Sequence, residues 1–339
     1  MIDMFSMTDC DQPLTSKASL YYGTIDFPFS SDEHLIRGTI SMINKTLVYF
    51  IVASLMAFIL SSCDQENKTV IVAGDSWAQF VCVYKSLDTA LKKQNINNAK
   101  TNSTCPATTR IGMHADNWLS SNYDKATELA LLDPTVKVLY LSIGGNDVLS
   151  SWNKNLTPQE EDVIFNKIVS DVNKIIEKYA KQRPDVKILL SGYDFPRFTE
   201  DNAIEEYKNM YFQMGQPKAL EINSAIVKFS NMMADAIKTP NVFYIQHYGL
   251  MHYYFGNSGS GLAAGVTSSP DLISSPSNIK QIGGDKNLLT DAKAMMTIDS
   301  SGVVLGDAFH LSKTGYSYLA DHTVFHYLKN WLEAKENKN

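Results

Sequence analysis

Four short apolar runs mark the chain: Val70–Ala73, Val136–Ile143, Val186–Leu190 and Val242–Ile245. They are rich in β-branched residues with little apolar–polar alternation, the pattern of strands buried on both faces. Between them, apolar positions recur at helical spacing. Trp77 to about Lys93 places Phe80, Val83, Tyr84, Leu87 and Leu91 on one side, and Asp116–Leu132 predicts a second helix. Thr157-Pro158-Gln159-Glu160 opens a third, with Thr as cap, Pro at the first position and Glu at the third. That helix continues through Phe165, Ile168, Val172, Ile176 and Tyr179 to Arg183-Pro184. Further helices are predicted over about 219–237 and 313–335.

Strands alternating with helices predict an α/β fold, a parallel sheet covered on both faces in three α/β/α layers. One domain is expected over 69–336. Binding sites in such sheets lie beyond the carboxyl ends of the strands. Gly74-Asp75-Ser76, Gly144-Gly145-Asn146-Asp147 and Ser191-Gly192-Tyr193-Asp194 each directly follow a predicted strand. The stretch 250–304 breaks the rhythm with many glycines and serines, and is expected to be an irregular insertion forming a lid or rim.

The N-terminus follows different rules. Met42-Ile43-Asn44-Lys45 precedes Leu47–Leu60, an uncharged apolar stretch. As a helix it would rise about 21 Å, short of the roughly 30 Å hydrocarbon core of a bilayer. A basic start, an apolar stretch of this length and small residues after it predict a secretory signal over 42–62. Leu60-Ser61-Ser62-Cys63 resembles the lipobox of bacterial lipoproteins, which implies lipidation of Cys63, a tether over 63–68 and a place in the bacterial cell envelope. Residues 1–41 sit awkwardly ahead of such a signal, and translation is expected to begin at Met42.

Composition adds exclusions. With 339 residues, a net charge of −6 and acids interspersed with bases, nothing suggests a nucleic-acid surface. No partner beyond a small substrate and a membrane anchor is expected, and a monomer is predicted. Of four cysteines, Cys10 lies upstream and Cys63 would carry lipid. Cys82 and Cys105 remain, as a disulfide or as two free thiols.

A serine at a strand end is either a helix N-cap or a nucleophile that needs a base and a group to hold that base. Among the histidines, His310 has a neighbourhood suited to the role of base, Gly306-Asp307-Ala308-Phe309-His310. An acid three residues earlier, in a turn entering a helix, can reach back to the imidazole and fix its tautomer. His322 and His326 are spaced i, i+4 but lack the Glu of a zinc-protease motif, and are expected to be helix-surface or packing residues. No metal or other cofactor is expected.

Gly74-Asp75-Ser76, the isolated Gly112, Gly144-Gly145-Asn146-Asp147 and Asp307-x-x-His310 resemble, in order, the four blocks of the SGNH, or GDSL-type, hydrolases. The resemblance spans essentially the whole chain after Cys63. It implies a flavodoxin-like fold and (thio)ester hydrolysis through an acyl-enzyme, with Ser76 as nucleophile, His310 as base and Asp307 as its orienter. The oxyanion would be held by the Ser76 and Gly112 N–H groups and the Asn146 amide. The first block departs from the family in carrying Trp77 where many members have leucine. Trp77, Asp147, Tyr193 and His252 are candidates for the substrate pocket, although Asp147 also suits a turn-holding role. The resemblance leaves the substrate open among small-molecule, lipid and acetylated-saccharide esters. Two other readings are a catalytically silent surface-binding lipoprotein of the same fold and a metal-dependent phosphoesterase.

Overall fold

The computed structural model describes residues 68–266, 283–300 and 303–333. The expected upstream extension, signal peptide, tether residues 63–67 and lipidated Cys63 lie outside these residues. Lys68, expected in the tether, instead begins the first strand.

Five strands form one parallel sheet: β1 (Lys68–Gly74), β2 (Ala99–Thr101), β3 (Val136–Ser142), β4 (Lys187–Ser191) and β5 (Val242–Ile245). Their spatial order, β2-β1-β3-β4-β5, is that of flavodoxin-like doubly wound sheets. Every residue of β1 is buried, as expected for a central strand without alternation. The sheet order reverses between β1 and β3, and their last residues, Gly74 and Ser142, pair directly. That reversal opens a crevice at the carboxyl edge.

Helices flank the sheet in two packed groups. One contains α1 (Ser76–Val83) and α2 (Ser86–Lys93). The other contains α3 (Ala115–Trp118), α5 (Gly145–Ser151), α6 (Pro158–Gln182) and α8 (Ala219–Ala236). Between them in sequence come α4 (Asn122–Ala130) and α7 (Glu205–Gln213), and α9 (Leu250–Phe255) follows β5. α6 carries the predicted Thr157–Glu160 capping box.

Two predicted helices are broken. The first stops at Tyr84 because Lys85 adopts left-handed backbone, φ 52°. Asp88 of α2 then accepts the Thr101 N–H and hydroxyl, both at 2.7 Å, which ties that helix to the edge strand β2. The second is interrupted after Trp118, where Ser121 caps α4 by accepting the Asp124 N–H. The C-terminal helix runs as α10 (Lys313–Thr323), a π-helical turn (Val324–Leu328) and α11 (Lys329–Glu333).

The expected irregular region at 250–304 is partly regular. It begins with α9 and ends in β6 (Met295–Ser300), which pairs antiparallel with β7 (Val303–Leu311). Residues 267–282 of this region lie outside the described residues.

Beneath the sheet edge lies a buried histidine pair. His247 Nε2 is 3.1 Å from Ser191 Oγ, and its Nδ1 is 3.3 Å from His322 Nδ1. His322 packs as expected, and His326 stacks edge-on against it. Burial, then the facing His322 and His326, hold the His247 pKa well below 6.5. The folded protein keeps this ring neutral while the unfolded chain protonates it, so stability is retained above pH 6.5 and lost as pH falls below it. The unfolding free energy from urea titrations should drop between about pH 7.5 and about pH 5.5, by up to about 1.4 kcal/mol per pH unit from this group. In His247→Asn the fall should be shallower; an unchanged slope would remove His247 as its source.

Candidate active site

The strand β1 ends in a turn that only glycine fits. Gly74 has φ +129°, and a Cβ there would lie 1.9 Å from the Ser142 carbonyl oxygen. Asp75, not Ser76, is the N-cap of α1: its Oδ1 accepts the Trp77 N–H at 3.0 Å. Ser76 is therefore the first helical residue, and its hydroxyl is not used in capping. Asp75 Oδ2 accepts the Tyr193 hydroxyl at 2.5 Å, and the same phenol oxygen accepts the Gly145 N–H at 2.8 Å. One buried carboxylate thus joins the loops after β1, β3 and β4. Burial raises the Asp75 pKa to about 7, against the opposing bonds from Tyr193 and Trp77.

The Asp307-x-x-His310 unit was expected on a loop entering a helix, but it belongs to β7. In the hairpin Gly306 pairs with Thr297 and Leu311 pairs with Met295. Residues 307–310 stand opposite Met296 alone, three residues more than the partner strand supplies, a bulge of the kind found beside active sites. Asp307 holds the bulge closed, its Oδ1 accepting the Phe309 and His310 N–H groups at 2.7 and 2.8 Å. Asp307 Oδ2 lies 2.8 Å from His310 Nδ1, and His310 Nε2 lies 2.7 Å from Ser76 Oγ. Burial would raise the Asp307 pKa, but the bond and charge of His310 and the backbone N–H groups outweigh it and hold the carboxyl below its usual range.

The second and third blocks are stitched together. Asn146 Nδ2 donates to the Met113 carbonyl at 3.0 Å, and both Asp147 oxygens accept the Ala115 N–H. Upstream of Gly112, the Thr108 carbonyl accepts the Gly74 N–H at 3.0 Å and Arg110 N donates to Gly74 O at 2.9 Å. Gly112 itself has φ +71° with open space around it. Cys82 and Cys105 are joined as a disulfide, which ties the end of α1 to the turn leading into this loop.

The four pocket candidates are all buried side chains. Trp77 is 1% exposed and packs among Tyr193, Phe309 and Tyr316. One residue along a helix turns the side chain by about 100°, so the neighbour of Ser76 faces the core. Tyr193 is buried in the Asp75 network. His252 is fully buried against Phe195, with Nδ1 accepting the Asp285 N–H. Asp147 is buried as the anchor of Ala115. His114, Asp116 and Asp147 do offer ligand atoms within 4.8 Å of one another, but Asp147 spends both oxygens on that backbone anchor.

Two neighbours of the site were missed. Phe80 lies edge-on to the His310 ring at 5.0 Å, and Tyr84 stacks on Phe80. The signal was present, because Phe80 is four residues after Ser76 on the same helix face. Tyr207 on α7 hydrogen-bonds Asp307 and contacts His310 Nδ1. No sequence signal marked it, since α7 has no fully buried residue to create a periodic stripe.

No family model matches the chain, and no curated protein matches it. Among solved structures, it is similar to a Clostridium thermocellum family 3 carbohydrate esterase, at 14% identity, covering 78% of this chain and 96% of that one, with a TM-score of 0.37. It is also similar to the periplasmic domain of a Salmonella ser. Paratyphi A lipopolysaccharide acetyltransferase, at 14% identity, 81% and 89% coverage and a TM-score of 0.39. A third likeness is to a member of the lipolytic protein G-D-S-L family from Veillonella parvula, at 12% identity, 77% and 99% coverage and a TM-score of 0.39. These distant likenesses concern the fold, and the chemistry is read from the side chains. The four blocks that resemble the SGNH, or GDSL-type, hydrolases meet at one carboxyl edge of a flavodoxin-ordered α/β sheet.

Proposed function

We propose that this chain is a serine ester hydrolase of the SGNH type, exported and lipid-anchored through Cys63 in a bacterial envelope. The observation that supports the reading best is the unbroken line Ser76 Oγ–His310 Nε2 (2.7 Å) and His310 Nδ1–Asp307 Oδ2 (2.8 Å). In the proposed reaction Ser76 Oγ attacks the acyl carbonyl carbon while His310 Nε2 takes its proton. The tetrahedral oxyanion accepts hydrogen bonds from the Ser76 and Gly112 N–H groups and the Asn146 amide. Ser76 heads an eight-residue helix, whose first N–H groups have no intrahelical acceptor and carry the positive dipole end. Collapse breaks the bond to the alcohol, which leaves with the proton from His310. Water, deprotonated by the same ring, then releases the acid and restores Ser76.

The groups recognised are esters of small molecules, lipids or acetylated saccharides. Phe80, half-buried and edge-on to His310, and Tyr84, half-buried and stacked on Phe80, replace Trp77 as the residues to vary for specificity. A fluorophosphonate probe should modify Ser76, as read by peptide mass spectrometry, and p-nitrophenyl acetate should be hydrolysed in the presence of EDTA. Absence of labelling with EDTA-sensitive turnover would overturn the reading. A chain-length series of acyl esters with acetylated xylan would then identify the substrate class. Asn146→Ala should lower kcat by about 10²–10³-fold, about 2.7–4 kcal/mol, with a smaller change in KM. Unchanged kcat would remove Asn146 from the oxyanion site.

A further inference from the structure

Asp307 makes more bonds than an orienting carboxylate needs. Its Oδ1 accepts two backbone N–H groups and its Oδ2 faces the His310 ring. A fourth partner comes from outside the hairpin: the Tyr207 hydroxyl, 3.0 Å from Asp307 Oδ2 and 3.1 Å from His310 Nδ1. The three atoms form a closed triangle. With the ring proton on Nδ1 directed at Oδ2, Nδ1 has no lone pair to accept a bond, so the phenol donates to Oδ2. In the other tautomer Tyr207 would donate to Nδ1, but Nε2 would then carry a proton and could not take one from Ser76. Burial, then the Asp307 charge, push the Tyr207 pKa up, so the hydroxyl keeps the proton it donates.

We propose that Tyr207 is a positioning residue that shares Asp307 Oδ2 with the His310 imidazole, fixing the ring against Ser76 and moderating the carboxylate's hold on the imidazolium. The inference rests on the hydrolase reading above. The ring is held independently of the hydroxyl, edge-on against Phe198 at 6.0 Å. Tyr207, Met210 and Tyr211 of α7 are partly buried against the core, so the helix keeps its place when the hydroxyl alone is removed.

Tyr207→Phe removes the hydroxyl and keeps that packing. On p-nitrophenyl acetate it should lower kcat by about three- to tenfold with KM within about twofold of the parent. With one donor fewer on Oδ2, Asp307 holds the imidazolium more strongly. The acidic limb of kcat/KM against pH should therefore move to higher pH, by about 0.3–0.5 unit. A lowered melting temperature with the parent's kcat and acidic limb would show a packing role and overturn the inference. Ser76→Ala, assayed alongside, separates the two claims. If it keeps the parent's turnover, the hydrolase reading falls; if it is inactive while Tyr207→Phe matches the parent, only the role of Tyr207 falls.

Discussion

Ser76→Ala should abolish turnover of p-nitrophenyl acetate, by on the order of 10⁴-fold or more, while leaving the melting temperature within a degree or two of the parent. The size follows from covalent catalysis: without Oγ no acyl-enzyme forms, and the oxyanion donors and His310 are left to act on water alone. The preserved stability follows from the structure. The cap of α1 is Asp75, and the bond Ser76 makes is to His310, so deleting the hydroxyl opens no helix end and leaves a methyl group at a buried position. The measurement is a steady-state assay with fluorophosphonate labelling of parent and variant. Turnover within tenfold of the parent would end the mechanism. A large fall in melting temperature would show that the hydroxyl is structural instead.

Gly74→Ala should act on the fold itself. The residue stands at φ +129°, and the new methyl would be 1.9, 2.7 and 2.9 Å from the O, C and N atoms of Ser142. Those atoms are backbone of the neighbouring strand β3, paired with β1 along its length, and cannot swing aside as a flexible side chain would. The backbone conformation alone costs about 1–3 kcal/mol for an L-residue, and the clash must be relieved by parting two central strands. A loss above about 4 kcal/mol is expected, a large share of the stability of a typical domain, seen as insoluble protein or a collapsed urea midpoint. Gly261→Ala is the control. It also has positive φ, +78°, but open space around it, so it should cost no more than about 1–2 kcal/mol. Similar losses at both sites would mean that backbone conformation, not the contact with β3, governs.

Four of the five strands were legible because buried parallel strands are written as dense apolar runs, whereas the three-residue edge strand β2 carries no such run. β5 has the predicted bounds, and β1, β3 and β4 differ from prediction by at most two residues at an end. α6 was legible from its capping box and regular stripe. What failed depends on tertiary context. Lys85 carries no sequence mark of its left-handed backbone, and α7 has too little burial for a periodic signal. The polar loops after β1, β3 and β4 could be read as one site because topology brings strand ends together. The wall of that site could not, since the helical turn that presents Ser76 sends adjacent Trp77 into the core and brings Phe80 to His310. Local spacing also found Asp307 beside His310, but not the bulge that carries them, which is defined only against its partner strand β6.

The bond between Ser76 and His310 joins residues 234 positions apart. A nucleophile delivered by the first strand and a base delivered by the last hairpin cannot meet until nearly the whole domain has closed, and loop-closure entropy makes such a contact late to form. A partly assembled chain therefore exposes a serine of ordinary reactivity. The arrangement makes hydrolytic competence a certificate of complete folding.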